Sequence, residues 1–176
     1  MEDFNMLRDR LELTDDRRLM LDSVHMVLMP RWFFGAIMRC VKETTGEAVA
    51  RKIYYDAAYE GAYRWGQAMA EKGLTGHEIM DQYLGSLSIR GWGGFEIVRM
   101  SVEKGRGVFR LKNSATALEL GRTGSDTCYQ MPGAMAGAFQ LILDNAGSNL
   151  KVKGREVKCL AKDDPHCEYV VEAIEK

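Results

Sequence analysis

Cys128, Cys159 and Cys167, with Glu156 three residues before the second of them, are the residues whose types and spacing carry chemistry. Thiolates suit a borderline-soft ion that prefers tetrahedral coordination, such as Zn²⁺, and a carboxylate can complete the sphere. Cys159 and Cys167 flank an expected hairpin turn. With 161–165 as its loop, Leu160 faces His166 and Cys159 faces Cys167. Opposed residues on neighbouring strands have Cβ atoms about 4.5–5.5 Å apart, close enough for two sulfurs to share one ion. Cys128 arrives from the loop before a helix, and Glu156 supplies a fourth ligand. Glu156 and Cys159 are an odd step apart, so a flat strand aims them at opposite faces, and a bulge or a bend at the strand end has to bring them together. Three thiolates and a carboxylate carry more negative charge than one divalent ion cancels; Lys153, Arg155, Lys158 and Lys162 are the nearby cations that could offset it. Spacing alone leaves three readings open: a metal site, a Cys159–Cys167 disulfide, and small apolar core residues. The last is the reading for Cys40, alone on a helical stripe.

The elements that position these residues follow from periodicity. A run from Asp15-Asp16-Arg17-Arg18 through Leu19, Leu21, Val24, Val27 and Leu28 reads as a helix limited by Pro30, so residues 1–30 are expected to be an N-terminal helical extension. Trp32, Phe33, Ile37, Cys40 and Val41 keep helical spacing up to Gly46. A third helix begins near Glu47 and stops at Gly73, and Thr75 caps a fourth through Tyr83. The second half changes period: 92–100 and 107–111 are short strands of one hairpin, and Asn113-Ser114 caps a short helix ending near Gly121. Pro132 sits in the first turn of a longer helix, 131–146, along which Gly133, Ala134, Ala136, Gly137 and Ala138 let another backbone come close. Two strands, about 150–160 and 167–174, complete the chain. Helices followed by hairpin-connected strands give an α+β fold: N-terminal helices packed on an antiparallel sheet, with residues 31–176 as the main domain.

Composition excludes several classes. The chain has 176 residues, with 24 Lys and Arg against 25 Asp and Glu. That balance offers no basic excess to displace phosphate counterions, so no direct nucleic-acid partner is expected. The longest uncharged stretch, 127–143, is interrupted by Gln130, Pro132 and Gln140 and falls short of the ~20 apolar residues a bilayer needs. The acidic start, Met1-Glu2-Asp3, is the wrong chemistry for a secretory leader, so a cytoplasmic location with reduced cysteines is expected.

At three stretches the sequence resembles the 4-vinyl reductase domain family, which also forms the sensory domain of phenol- and toluene-responsive bacterial activators. They are Thr127-Cys128-Tyr129 with Gly133–Gly137 behind it, Arg155-Glu156-Val157-Lys158-Cys159, and Asp164-Pro165-His166-Cys167-Glu168-Tyr169-Val170-Val171. The resemblance implies zinc on Cys128, Glu156, Cys159 and Cys167, a homodimer, and a mostly apolar pocket between sheet and helices in a fold similar to some vesicle-tethering subunits. It runs from about 114 to 174, more weakly from 31 to 112, and is absent from the first thirty residues. The His and Trp with which sensory members grip a phenolic hydroxyl have no counterpart; the comparable places are around Gly93 and Leu111. Gly91-Trp92-Gly93-Gly94 lacks the helix and spacing of a dinucleotide fingerprint.

Trp92, Phe95, Phe109, Leu111 and Tyr129 fall where the resemblance puts that pocket, with core packing as the competing reading. Arg90, Arg99 and Arg110 could fix an anionic group, although exposed salt bridges are the simpler expectation. His166 is either a donor behind Cys167 or a turn residue, and no role falls to His25 or His77. The resulting expectation is a zinc-stabilised binding domain for a small, largely apolar or aromatic molecule, acting as a sensor or pathway accessory. A zinc-dependent or reductase-type enzyme and an interaction subunit like the tethering proteins are the alternatives.

Overall fold

Apolar residues alternate at Leu11 and Leu13 and again at Leu19 and Leu21, on either side of Thr14-Asp15-Asp16-Arg17-Arg18. In the computed structural model, which describes residues 9–21 and 24–174, this stretch forms an antiparallel meander: β1 (Leu11–Leu13), β2 (Leu19–Leu21) and β3 (Val24–Met26). The helix expected over this stretch is therefore corrected to strands. The acidic-basic tetrad makes a tight turn instead of a helix start. Arg17 takes φ 67°, its amide donates to the Thr14 carbonyl at 2.9 Å, and Asp16 accepts from Arg18 Nε at 2.9 Å. Polar side chains that bond their own local backbone favour turns over helix interiors.

Beyond Pro30 the expected helices appear as α1 (Arg31–Thr45), α2 (Glu47–Glu71) and α3 (Gly76–Ile89). Gly46, at φ 83°, breaks the first from the second. Thr75 and Glu78 form a capping box, the carboxylate accepting from the Thr75 amide at 3.0 Å; this answers backbone donors that helix starts leave free. The α3 helix continues past Tyr83 to Ile89, longer than the sequence pattern suggested.

The second half contains β4 (Gly94–Ser101), β5 (Arg106–Lys112), α4 (Ala115–Leu120), α5 (Gln130–Asn145), β6 (Val152–Lys158) and β7 (Cys167–Ala173). Ser114 caps α4, its hydroxyl accepting from the Ala117 amide. The four later strands make one antiparallel sheet in the order β4-β5-β7-β6. The fold is α+β, as expected. Among the described residues, no helix is long and apolar enough to cross a membrane.

Helix α5 lies between the sheet and α2, and residues 130–143 of it are all buried. Its small residues serve both neighbours. A Cβ on Gly133 or Gly137 would sit 2.1 Å from the carbonyl oxygen of Tyr55 or Tyr59 on α2. On the sheet side, Gly154 of β6 meets the Pro132 carbonyl oxygen equally closely. Gln140, the polar residue deep in this helix, is satisfied: its amide nitrogen donates to Asp144 and the Leu150 carbonyl, and its oxygen accepts from the Val152 amide at 3.0 Å. It thereby ties the end of α5 to the start of β6.

Gly137→Ala pushes a methyl group into backbone that cannot rotate away, so the helices must separate. The expected loss is about 1–3 kcal/mol, the usual cost of overpacking, read as a lower midpoint in urea with an unchanged slope. Ala138→Gly serves as the control for glycine content alone.

Candidate functional site

Four chain segments deliver the four ligand-type side chains. Cys128 precedes α5, and its carbonyl accepts from the Met131 amide at 2.9 Å in the helix's first turn. Cys159 follows β6 and opens a 3₁₀ turn, Leu160–Lys162; the Lys162 amide donates back to its carbonyl at 2.8 Å. Asp163 takes the left-handed conformation at φ 66°, which lets Asp164 fold back and accept from the Cys159 amide at 2.8 Å. Cys167 is the first residue of β7. The register of β6 against β7 shifts between Glu156 and Lys158, the irregularity that the odd spacing of Glu156 and Cys159 demands. As a result the ligand atoms of Cys128, Glu156, Cys159 and Cys167 all lie within 4.8 Å of one another. The three cysteines are fully buried and free, and Cys128 and Cys167 have sulfurs 3.7 Å apart, so the disulfide reading is not the one this structure takes.

Uncharged donors surround the sulfurs. The Leu160 amide donates to Cys167 Sγ at 3.4 Å, Ser114 Oγ lies 3.2 Å from Cys128 Sγ, and Thr127 Oγ1 lies 3.5 Å from Cys159 Sγ. The Cys128 amide donates to Glu156 Oε2 at 3.3 Å. By contrast, three of the four cations expected to offset the cluster's charge are engaged elsewhere: Arg155 with Glu172, Lys158 with Glu168 and Lys162 with Asp126. Lys153 is exposed. Local dipoles, aimed by the turn and the helix start, replace the side-chain charges expected from sequence.

Taken by themselves, the four groups oppose one another's ionisation. Hydrogen bonding to Cys159 and then to Cys167, with burial, pushes the Cys128 thiol well above its ordinary value. Burial and the charge of Cys159 raise Glu156 to about 9. At Cys167 the contact with Cys128 pulls downward, but the contact with Cys159 and burial prevail and push the thiol up to about 12. Only Cys159 is pushed down, by hydrogen bonds with Cys128 and Cys167. Burial and mutual contact thus oppose the charged forms of Cys128, Cys167 and Glu156 and favour that of Cys159. A divalent cation fits this donor set. Glu156 Oε1 is buried with no hydrogen-bond partner, and one positive centre would satisfy three sulfurs and that oxygen together. Ligation takes thiolates and carboxylate, so it would displace the protons these groups otherwise hold.

Tyr169 belongs to this neighbourhood and was missed in the sequence. It stands opposite Glu156 across the β6–β7 ladder, fully buried, with its hydroxyl beside Cys128. Its signal was period two, since Cys167, Tyr169 and Val171 face inward together. His166 instead faces Glu168, with Nε2 3.6 Å from Oε2.

A second feature lies on the other side of α4. A cavity of about 600 Å³ is walled by the apolar face of the N-terminal meander (Leu11, Leu21, Met26), by the segment 27–30, by Phe34 of α1, by Ile89–Trp92 and by Ala115, Thr116 and Glu119 of α4. Of the five residues expected to line a ligand pocket, only Trp92 reaches it, meeting Phe34 edge-on at 5.1 Å. Phe109 and Leu111 are fully buried in the main core, in one cluster with Met135 and Phe139 of α5. Phe95 packs against the same core. Tyr129 belongs to a small cluster with Met38 and Ala50, under the Arg51 guanidinium at 4.4 Å from its ring centre. This cavity therefore lies beside the meander and α1.

A family model described as "Domain of unknown function (DUF5943)" matches residues 11–98, half of the chain. No curated protein matches the sequence. Among solved structures, the chain is similar to the phenol-responsive sensory domain of the transcription activator PoxR with phenol. That match has a TM-score of 0.79 and 16% identity, and covers 98% of this chain and 89% of that one. It is also similar to a vinyl-4-reductase family protein from Methanocaldococcus jannaschii, with a TM-score of 0.56, 14% identity, and coverage of 85% of each chain. A trafficking protein particle complex subunit 3 from Naegleria fowleri, covalently bound to palmitic acid, gives a TM-score of 0.55 and 12% identity over 82% of this chain and 95% of that one. At these identities the likeness is one of fold.

The burial of the cluster has a direct chemical readout. In native protein treated with a chelator at neutral pH, a maleimide is expected to modify Cys40, which is exposed, rapidly and Cys128, Cys159 and Cys167 only on unfolding. Intact-mass analysis counts the adducts; rapid modification of more than one thiol would contradict the arrangement.

Proposed function

The chain belongs to the DUF5943 family, and on that premise we propose that it is a binding domain for a small, largely apolar or aromatic organic molecule, acting as a sensor or as a pathway accessory. The observation that carries this reading is the cavity. Its volume of about 600 Å³ lies within the usual range for small-molecule sites, and its walls are apolar with a few polar groups, Arg31, Arg90, Thr116 and Glu119. Most of its lining falls inside the matched residues 11–98. Two of the similar folds come with an organic molecule, phenol in one and palmitic acid in the other, and this supports a fold suited to such cargo.

Zn²⁺ is the ion the cluster would hold, because three sulfurs and one carboxylate oxygen suit a borderline-soft cation without geometric preference of its own. With four protein donors the sphere is closed, so the ion would brace the hairpin and the start of α5 rather than activate water. In this reading the meander and the segment 27–30 are an extension that walls one side of the cavity, and the domain that follows from Arg31 carries the cluster and the remaining walls. The exposed apolar side chains of Trp32, Phe33, Val49 and Ile53 support a homodimer through α1 and α2. A cytoplasmic setting fits reduced thiols.

Metal removal tests the brace. A ligand present at a thousand times its Kd stabilises by about 4 kcal/mol, roughly 8–16 °C in Tm for a chain of this size. Adding Zn²⁺ to chelated protein is expected to raise Tm by that order, and Cys159→Ser with Cys167→Ser to abolish the rise; equal melting with and without the ion would refute zinc as a brace. For the cavity, Ala115→Phe fills the space from α4. It is expected to weaken any small-molecule binding at least about tenfold, the cost of one lost apolar contact surface, while the zinc response stays intact. Binding that survives the filled cavity would place the site elsewhere.

A further inference from the structure

The charge balance of the cavity wall is uneven. Among the described residues that line it there are two arginines, Arg31 and Arg90, and one acid, Glu119. Arg31 Nε already donates to Glu119 Oε2 at 3.1 Å, which accounts for that acid. Arg90 caps the C-terminus of α3, where its amide donates to the Ser86 carbonyl at 3.2 Å and its side-chain Nε donates to the same oxygen at 3.0 Å. That bond orients the guanidinium but answers one of its five N–H groups. Arg90 is only partly exposed, and burial works against its protonated form, with Tyr83 opposing that effect and the positive charge of Arg10 adding to it. A guanidinium does not deprotonate in proteins, so a partly desolvated one against an apolar wall favours an anion that can take two parallel N–H bonds. The edge-to-face pair Trp92 and Phe34 and the neighbouring Ile89 line the same cavity and supply apolar surface.

We propose that the occupant of this cavity is an organic acid, with an apolar body along Trp92, Phe34, Ile89 and the inner face of the meander, and a carboxylate held by Arg90. This rests on the cavity being the binding site and adds the chemical class of its ligand. A neutral phenol or hydrocarbon would leave Arg90 as it stands. An acid exchanges water on the carboxylate for charge-assisted bonds worth about 1.5–3 kcal/mol, roughly tenfold or more in affinity.

Two fluorescent probes of nearly the same body separate the possibilities: 1-anilinonaphthalene-8-sulfonate, which carries an anionic group, and N-phenyl-1-naphthylamine, which does not. With zinc-treated full-length protein, the anionic probe is expected to bind at least about tenfold tighter, and decanoate to displace it at lower concentration than decanol. Arg90→Met is expected to abolish that preference, and Arg90→Lys to keep part of it. The wild-type comparison needs no variant and so holds even if one fails to fold. Equal affinities for the two probes, or a preference unchanged in Arg90→Met, would overturn the acid assignment and leave an apolar binding site standing. If Ala115→Phe removes the signal of neither probe, the cavity itself is not the site, and both readings fail together.

Discussion

Helix α5 has backbone on two sides, and much else follows from that constraint. Its glycines bring α2 so close that the Tyr55 and Tyr59 carbonyls occupy the places of missing side chains, and Gly154 lets β6 approach from the opposite face. With the helix held at that depth, the loop before it ends against the sheet, and Cys128 arrives beside the β6–β7 turn. The sulfur cluster is thus a consequence of helix burial as much as of the cysteines themselves. Larger residues on α5 would move its first turn outward and carry Cys128 away from Cys159 and Cys167.

The cluster and the cavity share one short element. Ser114, at the start of α4, touches the Cys128 sulfur, while Ala115 and Thr116, the next two residues, line the cavity. Gln130, in the first turn of α5, donates to the Thr116 hydroxyl at 2.6 Å, a second tie between the two regions. The same few residues therefore border both the sulfur cluster and the cavity. Rigid polar links of this kind fix the position of α4 in a way apolar contacts alone would not, since each bond has a direction as well as a length.

Periodicity carried most of the fold. The three long helices, both hairpins, the Ser114 cap and the small-residue helix were legible because each depends on nearby residues: a cap, a glycine stop, a change from period 3.6 to period two. The N-terminal meander was misread because short runs containing Leu, Met and Val satisfy both periods, and the tie was broken by the Asp16–Arg18 turn, whose bonds show only in three dimensions. The position of the cavity was not legible for a related reason. Phe109 and Leu111 have the right chemistry for a wall, but whether an apolar residue faces space or another side chain depends on elements far away in the chain.

By itself the sequence determined the donor set, three thiols and a carboxyl around a hairpin, and even the need for a bulge between Glu156 and Cys159, because strand geometry alternates with a fixed period. Tertiary structure decided what surrounds that set: amides and hydroxyls in place of lysines, and a buried Tyr169 beside Cys128. It alone decided where the chain leaves room for another molecule. Local spacing specifies which atoms can meet along a strand or a turn, whereas an unfilled volume is the remainder left when every element has packed, and no short stretch of residues contains it.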